Sequence, residues 1–318
     1  MLALRFDGQA PRLETVSPPT PKRGEARLRM LRAGICSTDL HIINGYMGFA
    51  GTLGHEVVAE VLEHPDESWV GARVTAEINL ACGECTRCRE GLGRHCETRT
   101  VLGILGKDGV FQEELTLPVA NLHRVPDGLS TELATFAEPL AAAFEILEQV
   151  HVRPNTRVAV LGDGKLGSLC ALVLAGTGAH VSVIGRHPAK LARLEAHVET
   201  HLDTDALSSG FPLVVEATGT AAGFECARSL VAPRGTLVLK STFHGVSEIA
   251  TAPFVIDEIA LVGSRCGPFP PALRALHRGV IDPSPLIEAE YPLSDGLRAL
   301  EHAGTRGTAK IQLVPDGR

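Results

Sequence analysis

Residues 157–167 of the chain read RVAVLGDGKLG, and this stretch decides the fold. Arg157–Leu161 is a short apolar run typical of a buried strand, and a Leu/Ala-rich helical stretch follows the glycines. The glycines form the pattern G-x-G-x-x-G between a strand and a helix, which is the setting in which it binds dinucleotides. Gly162 makes the tight turn, Gly164 lets the backbone approach a pyrophosphate, and Gly167 lets helix and strand pack closely. The stretch therefore predicts a dinucleotide-binding βαβ unit.

Further apolar runs follow this unit and are separated mostly by helical stretches. They lie at 180–184, 213–217, 236–239 and 259–263. Strands that alternate with helices indicate a parallel, doubly wound sheet covered on both faces. We therefore expect an α/β chain whose central part is a Rossmann-type domain.

The first 125 residues show a different pattern. Short β-type runs at 26–31, 56–62 and 73–78 are separated by Gly/Pro-rich turns, which indicates an irregular, mostly antiparallel lobe. The last fifty residues return to this mixed character and end in a predicted strand at Lys310–Val314. The chain is thus expected to leave the first lobe, build the parallel sheet and come back.

This organisation predicts two domains, the first of which is split by the second. The lobe is expected at 1–139, the dinucleotide-binding domain at 140–266, and the return segment that completes the lobe at 267–318. A single helical stretch is predicted over 131–150, where Ala, Leu and Glu dominate. A length of 318 residues suits two domains of ordinary size.

Half of the eight cysteines crowd into residues 82–96, CGECTRCREGLGRHC. The spacing C-x2-C-x2-C-x7-C suits tetrahedral zinc, and four thiolates leave no position for a substrate, so we predict a structural zinc on Cys82, Cys85, Cys88 and Cys96. One alternative is four unliganded thiols in a surface loop. Another is a zinc ribbon that binds nucleic acid, although the local arginines are balanced by local glutamates.

A cysteine, a histidine and a carboxylate lie upstream of this cluster. The segment GICSTDLH at 34–41 contains Cys36, and GHE at 54–56 contains His55 and Glu56. These are the ligand types of a catalytic zinc, which keeps one position open for water or substrate. The alternative is a buried cysteine and a core histidine with no metal, but the neighbouring four-cysteine lobe favours the metal.

The order of these motifs resembles one known family. GICSTD, GHE, the four-cysteine lobe, EPLA, GDGKLG and EATG follow one another as in the zinc-dependent branch of the medium-chain dehydrogenase/reductase superfamily, and the resemblance covers nearly the whole chain. This family includes alcohol, polyol, glucose and threonine dehydrogenases. It implies a GroES-like catalytic domain joined to a Rossmann domain.

The resemblance also implies the roles of the metal-site residues. Cys36 and His55 match the first two ligands of the catalytic zinc, and Glu56 matches the acid beside it. Glu138 stands where some members have a further cysteine ligand, and we expect one of the two glutamates to exchange with water during turnover. Asp39 resembles the carboxylate that holds the liganding histidine in its tautomer. The implied content is two zinc ions per chain.

In such a site a hydride passes between an alcohol and NADP(H) while zinc polarises the substrate oxygen. Thr38 and His41 resemble the family's proton relay to solvent, although His41 can also be an ordinary half-exposed histidine. The expected substrate is a polyol, a sugar or a simple alcohol. Two alternatives stay open: a catalytically silent NADP(H)-binding sensor, and an NAD-preferring threonine or amino-alcohol dehydrogenase.

The residue that ends the second strand of the sheet bears on the choice of cofactor. NAD enzymes usually place an acid there, about 20 residues past the glycines, but this chain has Gly185, Arg186 and His187. Gly185 makes room and Arg186 can pair with a 2′-phosphate, which predicts NADP over NAD. The alternative is that Arg186 is a solvated surface charge in an enzyme that tolerates either cofactor. The full set of expected cofactor contacts is Gly162, Asp163, Gly164, Lys165, Leu166, Gly167, Gly185, Arg186, His187, Thr218 and Arg265.

Charge and hydropathy limit the partners. The net charge is −7, with 30 basic against 37 acidic residues spread along the chain, so neither nucleic acid nor a membrane is an expected partner. The N-terminus resembles no signal peptide and no apolar run reaches the length of a membrane span, which predicts a cytoplasmic protein acting on a small molecule. The resemblance implies a homodimer or homotetramer.

Overall fold

The computed structural model describes residues 1–202, 209–242 and 249–317. The chain forms two compact units. The first contains Met1–Glu138 and Ile287–Arg318, and the second contains Pro139–Leu286. The first unit is therefore discontinuous in sequence and is interrupted by the second.

The observed division into units differs from the predicted one mainly at the boundary where the chain leaves the second unit. The chain returns to the first unit at residue 287 rather than at 267. The intervening helix, Phe269–His277, has an apolar face made of buried residues such as Leu273 and Leu276, and the backbone before it packs closely, since a Cβ at Gly267 would lie 1.8 Å from the Ala141 carbonyl oxygen. These contacts belong to the second unit.

The first part of the first unit is made of short strands and two helices. The strands are β1 (Leu2–Phe6), β2 (Pro11–Thr15), β3 (Glu25–Gly34), β4 (Gly51–Thr52), β5 (Glu56–Glu63), β6 (Arg73–Ala76), β7 (Asn79–Leu80), β8 (Thr100–Leu102), β9 (Gly106–Lys107), β10 (Glu114–Pro118) and β11 (Leu122–Arg124). The helices are α1 (Ser37–Ile43) and α2 (Thr86–Arg89).

Two helices follow where the sequence predicts one. They are α3 (Thr131–Ala134) and α4 (Ala137–Gln149). A helix continuous from residue 131 would hold Pro139 in its interior, where proline removes a backbone hydrogen bond and clashes with the preceding turn. A new start at Ala137 instead places Pro139 in the first turn of α4, where no hydrogen-bond partner is needed.

The second unit alternates strands with helices. Its strands are β12 (Arg157–Leu161), β13 (His180–Ile184), β14 (Glu199–His201), β15 (Phe211–Glu216), β16 (Val231–Leu239) and β17 (Ala260–Gly263). Its further helices are α5 (Lys165–Ala175), α6 (Pro188–Leu191), α7 (Ala221–Leu230), α8 (Ala252–Ile256) and α9 (Phe269–His277). The chain then returns through β18 (Ile287–Pro292), α10 (Gly296–Gly304) and β19 (Lys310–Val314).

The largest sheet of the first unit has the strand order β11-β6-β5-β3-β19-β18, and β10 also pairs with β3. Its neighbouring strands run antiparallel except for the parallel pair β18 and β19. Ala26, Leu28 and Met30 alternate inward along β3 and are fully buried, as expected for a strand with one face on a core. The return strand β19 thus lies beside β3, near the site described below.

The sheet of the second unit has the order β14-β13-β12-β15-β16-β17, and every neighbouring pair is parallel. From β12 the chain adds β13 and β14 on one side of the sheet. It then crosses back and adds β15, β16 and β17 on the other side of β12. Ligands of such sheets bind beyond the carboxyl ends of the strands where the order reverses. That point lies after Leu161 and Glu216, where both strands end. The predicted α/β fold, with a mostly antiparallel lobe and a Rossmann-type parallel sheet, is confirmed.

Within the described residues, we find no helix with the combined length and apolar character that a bilayer crossing requires.

Candidate active site

The four cysteines of the lobe at 82–96 converge on one point. Their sulfur atoms all lie within 4.8 Å of one another. The distance between the Cys85 and Cys88 sulfurs is 3.5 Å, and Cys82–Cys88 and Cys85–Cys96 are both 3.9 Å apart. Tetrahedral zinc with sulfur at 2.3 Å requires sulfur–sulfur distances of about 3.8 Å. The lobe therefore fits a closed four-thiolate zinc site.

Backbone N–H groups point at these sulfurs. Glu84 and Cys85 both donate to the Cys82 sulfur over 3.4 Å, and Cys82 N–H donates to the Cys96 sulfur over 3.3 Å. The two bonds to Cys82 lower the pKa of its thiol to about 6, because they stabilise the thiolate. Neutral pH thus favours the form of Cys82 that binds metal.

The second donor set lies around helix α1 and the start of β5. Cys36 precedes α1, and its sulfur lies within 4.8 Å of a ring nitrogen of His55 and a carboxylate oxygen of Glu56. Asp39 is fully buried on α1. Its carboxylate accepts the N–H groups of Cys36 over 2.8 Å and of Gly54 over 3.2 Å, and so ties the two ligand-bearing segments together.

Asp39 also faces the histidine. Its Oδ1 lies 3.3 Å from Nδ1 of His55, which leaves Nε2 as the ligand nitrogen. Burial lowers the pKa of His55, but the negative charges of Asp39 and Cys36 outweigh it and hold that pKa well above its usual value. This strong negative field around a buried imidazole suits a bound cation.

Glu56 is held by a buried lysine. Lys310 Nζ lies 2.7 Å from Oε1 and 2.5 Å from Oε2 of Glu56, and both side chains are essentially inaccessible to water. The carboxylate also needs Gly34, since a Cβ there would lie 2.1 Å from Glu56 Oε2. Lys310 therefore fixes the acid beside the candidate ligands and neutralises part of its charge.

Glu138 does not join the close set of ligand atoms formed by Cys36, His55 and Glu56 among the described residues. It lies in the first turn of α4 and is buried. Burial raises the pKa of Glu138 to about 7, and of the nearby charges His55 lowers the pKa while Glu56 raises it. Its role as a ligand stays a prediction.

We expect Glu138→Gln to stabilise the metal-free protein in a pH-dependent way. A carboxyl whose pKa is raised on folding costs the folded protein no stability while it is protonated in both states. As pH rises from the unfolded pKa of 4.5 towards 7, the unfolded state ionises more readily and the folded protein loses stability. The gain should be roughly 2 kcal/mol larger at pH 8 than at pH 5. Urea unfolding followed by fluorescence of Trp69, the single tryptophan and a residue of the first unit, measures it.

Exposed Glu148 on the same helix is the matched control, because its charge is already solvated and Glu148→Gln should change stability little at either pH. An equal gain from Glu138→Gln at both pH values would contradict the raised pKa.

The proposed relay residues lie on α1. The Thr38 hydroxyl is half-buried and lies 3.6 Å from the Cys36 sulfur. His41 is exposed, and its ring makes an edge contact with Tyr46 at a centroid distance of 6.4 Å. Residues three apart share one helix face, so α1 carries a hydroxyl at the metal set and an imidazole at the surface.

In the second unit the glycine loop has the geometry that its sequence predicts. Gly162 has φ +117°, and a Cβ there would lie 2.6 Å from the Ala217 carbonyl oxygen. A Cβ at Gly167 would lie 2.1 Å from the Gly162 carbonyl oxygen. A Cβ at Gly164 would meet no atom within 4 Å. The open space at Gly164, just before α5, fits a pyrophosphate at a helix N-terminus.

A buried acid organises the facing loop. Glu216 ends β15, and its Oε1 accepts the Thr218 N–H over 2.6 Å and the Gly219 N–H over 3.2 Å. The Ser241 hydroxyl donates to the other carboxylate oxygen. The Thr218 hydroxyl also donates to Glu216, so this turn is fixed before any ligand binds.

The space beside Gly185, at the end of β13, is not open as the sequence predicts. The space beside Gly185 is filled by Asp163, since a Cβ at residue 185 would lie 2.5 Å from both Cβ and Oδ2 of Asp163. Arg186 is exposed, and its guanidinium has no ion-pair partner within the described parts of the chain. Gly185 therefore makes room for Asp163, not for a ligand.

The structure brings together some predicted residues and leaves others apart. Lys165 and Leu166 are half-buried at the start of α5, and Arg265 is exposed after β17, where its carbonyl oxygen accepts from Lys240 over 3.0 Å. Sequence reasoning missed Lys310 and Glu216. A lysine and a glutamate at the ends of otherwise apolar strands were the only local signals.

Comparison with known proteins agrees with this geometry. The family model of the alcohol dehydrogenase GroES-like domain matches residues 22–127, which include both cysteine sites. A 2-dehydro-3-deoxy-L-galactonate 5-dehydrogenase of Pseudoalteromonas atlantica is 28% identical over 296 residues, covering 86% of this chain and 86% of that protein.

Solved structures share the whole fold. L-idonate 5-dehydrogenase of Escherichia coli has a TM-score of 0.89 and 26% identity, covering 98% of this chain and 97% of that one. A structure from Sinorhizobium meliloti 1021, described as a zinc-binding dehydrogenase bound to NADP, has a TM-score of 0.91 and 24% identity over 99% of both chains. Together, the family model and these relatives indicate the zinc-type medium-chain dehydrogenase/reductase superfamily.

Proposed function

We propose that this protein is a zinc-dependent oxidoreductase that transfers a hydride between a secondary alcohol of a polyol or sugar acid and NADP(H). The observation that carries the proposal is the convergence of Cys36, His55 and Glu56 within 4.8 Å, with Asp39 beside the histidine. Three protein donors, one soft and two harder, leave the fourth position of a tetrahedral zinc open, which suits a catalytic rather than a structural zinc.

The names of two relatives support the proposed substrate class. One is named for oxidation at carbon 5 of a dehydrated galactonate and another for oxidation at carbon 5 of idonate. Both names describe a hydroxyl within a polyhydroxylated chain that carries a carboxylate. We therefore place sugar acids and polyols ahead of simple alcohols as substrates.

The roles of the protein's own groups follow from their positions. Zinc, when bound, supplies a Lewis acid for the substrate oxygen, and the nicotinamide exchanges the hydride. Cys36 and His55 hold the metal, while Lys310 restrains the Glu56 carboxylate beside them. We propose that the Thr38 hydroxyl relays the substrate proton, accepting it while giving up its own, and that His41 on the same helix face carries the released proton to solvent.

Metal analysis together with a substrate panel tests the proposal. We expect about two zinc ions per chain and nicotinamide-dependent turnover of at least one sugar acid or polyol. L-threonine and ethanol serve as comparison substrates. A protein that binds the dinucleotide but turns over no alcohol or carbonyl compound in either direction would instead be a silent sensor.

Arg186 supports the proposed preference for NADP(H). An exposed guanidinium at the end of β13 can form charge-assisted bonds with a 2′-phosphate, and NADH offers no such group. We expect Arg186→Ala to raise the dissociation constant for NADPH by roughly 10- to 100-fold and that for NADH by less than about threefold.

Calorimetric titration of the substrate-free protein with each cofactor measures both dissociation constants. Arg153→Ala, which removes another exposed arginine of the second unit, is the matched control. Equal effects of Arg186→Ala on the two cofactors would contradict a contact with the 2′-phosphate.

A further inference from the structure

The end of β13 has an acid after all, although no acid follows this strand in the sequence. Asp163 comes from the glycine loop after β12, and its side chain occupies the space where a side chain at residue 185 would begin. In dinucleotide-binding folds an acid at the end of this strand accepts hydrogen bonds from the adenosine ribose. A carboxylate is therefore present at this end of the strand, supplied by a different segment of the chain.

The carboxylate is fixed by three donors. Asp163 Oδ2 accepts the backbone N–H groups of Arg186 and His187, each over 2.7 Å. Nδ1 of His187 lies 3.1 Å from Oδ1 and 3.0 Å from Oδ2. Burial raises the pKa of Asp163, but the bonds from His187 and Arg186 outweigh it and hold that pKa below its usual value. Asp163 is thus ionised at neutral pH.

Its acceptor capacity is not exhausted. An ionised carboxylate offers about four lone-pair sites, and three N–H donors leave about one of them. Oδ1 faces only the imidazole among these donors. A ribose 2′-hydroxyl can donate to the remaining site, whereas a 2′-phosphate has no proton to give at neutral pH and carries the same sign of charge.

We propose that Asp163 is a specificity-determining residue that favours NAD(H) and opposes the pull of Arg186 towards NADP(H). This inference rests on the proposed function only in taking the ligand to be a nicotinamide dinucleotide. The two side chains set the cofactor ratio together: Arg186 attracts the 2′-phosphate, and Asp163 accepts from the 2′-hydroxyl and repels the phosphate. The protein accordingly accepts both cofactors, and neither residue alone fixes the choice.

The test is Asp163→Asn. Asparagine has nearly the same shape and keeps an oxygen for the two backbone N–H groups, but it removes the charge. Calorimetric dissociation constants are measured for NADPH and NADH without substrate, and for adenosine 2′,5′-bisphosphate and 5′-AMP, which probe the adenosine site alone. The ratio of the NADH to the NADPH dissociation constant should rise at least about tenfold, as expected from removing one like charge close to a phosphate. The two adenosine probes should show the same change.

Glu195→Gln is the control, because Glu195 is an exposed acid of the same unit whose loss changes net charge equally. Its cofactor ratio should stay within about twofold of the wild type, since exposed charges are well screened. Asp163→Ser, which is small and polar, is the second variant if the asparagine variant does not fold, as judged by circular dichroism.

The outcomes separate this inference from the proposed function. A wild-type protein that prefers NADH would contradict the proposed NADP preference, yet a tenfold change of ratio in Asp163→Asn would still support the role of Asp163. An unchanged ratio would overturn the inference, and so would a shift towards NADH, because Asp163 would then act by holding Arg186 in place. A wild-type protein that binds none of the four ligands would overturn both.

Discussion

Cys36→Ser is expected to abolish turnover and to lower the zinc content from about two ions per chain to about one. A catalytic site that depends on Cys36, His55 and one glutamate loses its only sulfur donor, and an alcohol oxygen binds zinc far more weakly than a thiolate. Loss of the Lewis acid removes several kcal/mol of charge stabilisation, so kcat/KM should fall by about 10³-fold or more.

Metal analysis and steady-state kinetics on the same preparations check this expectation. Cys226→Ser is the matched control, since Cys226 is half-buried on α7 and lies far in sequence from both metal sites. It should keep both zinc ions and full activity. A Cys36→Ser variant that retains one zinc ion and full activity would contradict the assignment of the catalytic site.

Some elements could be predicted at their true ends because local signals mark both ends. The runs Arg157–Leu161, His180–Ile184 and Lys310–Val314 are rich in Val, Ile and Leu, and each begins with a polar residue and is followed by glycine or proline. The structure has the same bounds. The return to the first unit at residue 287 has no such mark. Whether α9 packs on one unit or the other depends on tertiary contacts that periodicity does not reveal.

The same division applies to the candidate site. Cys36, His55 and the four-cysteine lobe lie in short sequence motifs, so their chemistry can be predicted from the local sequence. Lys310 is 254 residues from Glu56 in sequence, and only the pairing of β19 beside β3 brings it there. The sequence places Asp163 in the glycine loop, but the loop's spacing does not indicate that its side chain reaches the end of β13.

Lys310→Met is expected to destabilise the first unit of the metal-free protein by about 3–5 kcal/mol. The substitution keeps much of the volume but leaves the Glu56 carboxylate buried without its cation, and Glu138 adds a second buried acid nearby. Removing one partner of a buried ion pair costs more than removing both. Urea unfolding monitored by Trp69, which lies in the first unit, measures the loss.

The double variant Glu56→Gln/Lys310→Met is the matched control and should recover at least about half of the lost stability, because no unpaired charge then remains. A double variant as unstable as Lys310→Met would show that lost packing, not the charge, causes the effect.

Zinc provides a second comparison on the same variant. If Glu56 can ligate the metal, the ion replaces the missing lysine charge, and Lys310→Met should lose less stability with zinc than without it. The ion pair in the wild-type protein would then have two effects. Lys310 positions the Glu56 carboxylate beside Cys36 and His55, and its positive charge weakens the binding of that carboxylate to the metal. An equal loss with and without zinc would mean that Glu56 stays off the metal, and Glu138 would be left as the carboxylate that completes the site.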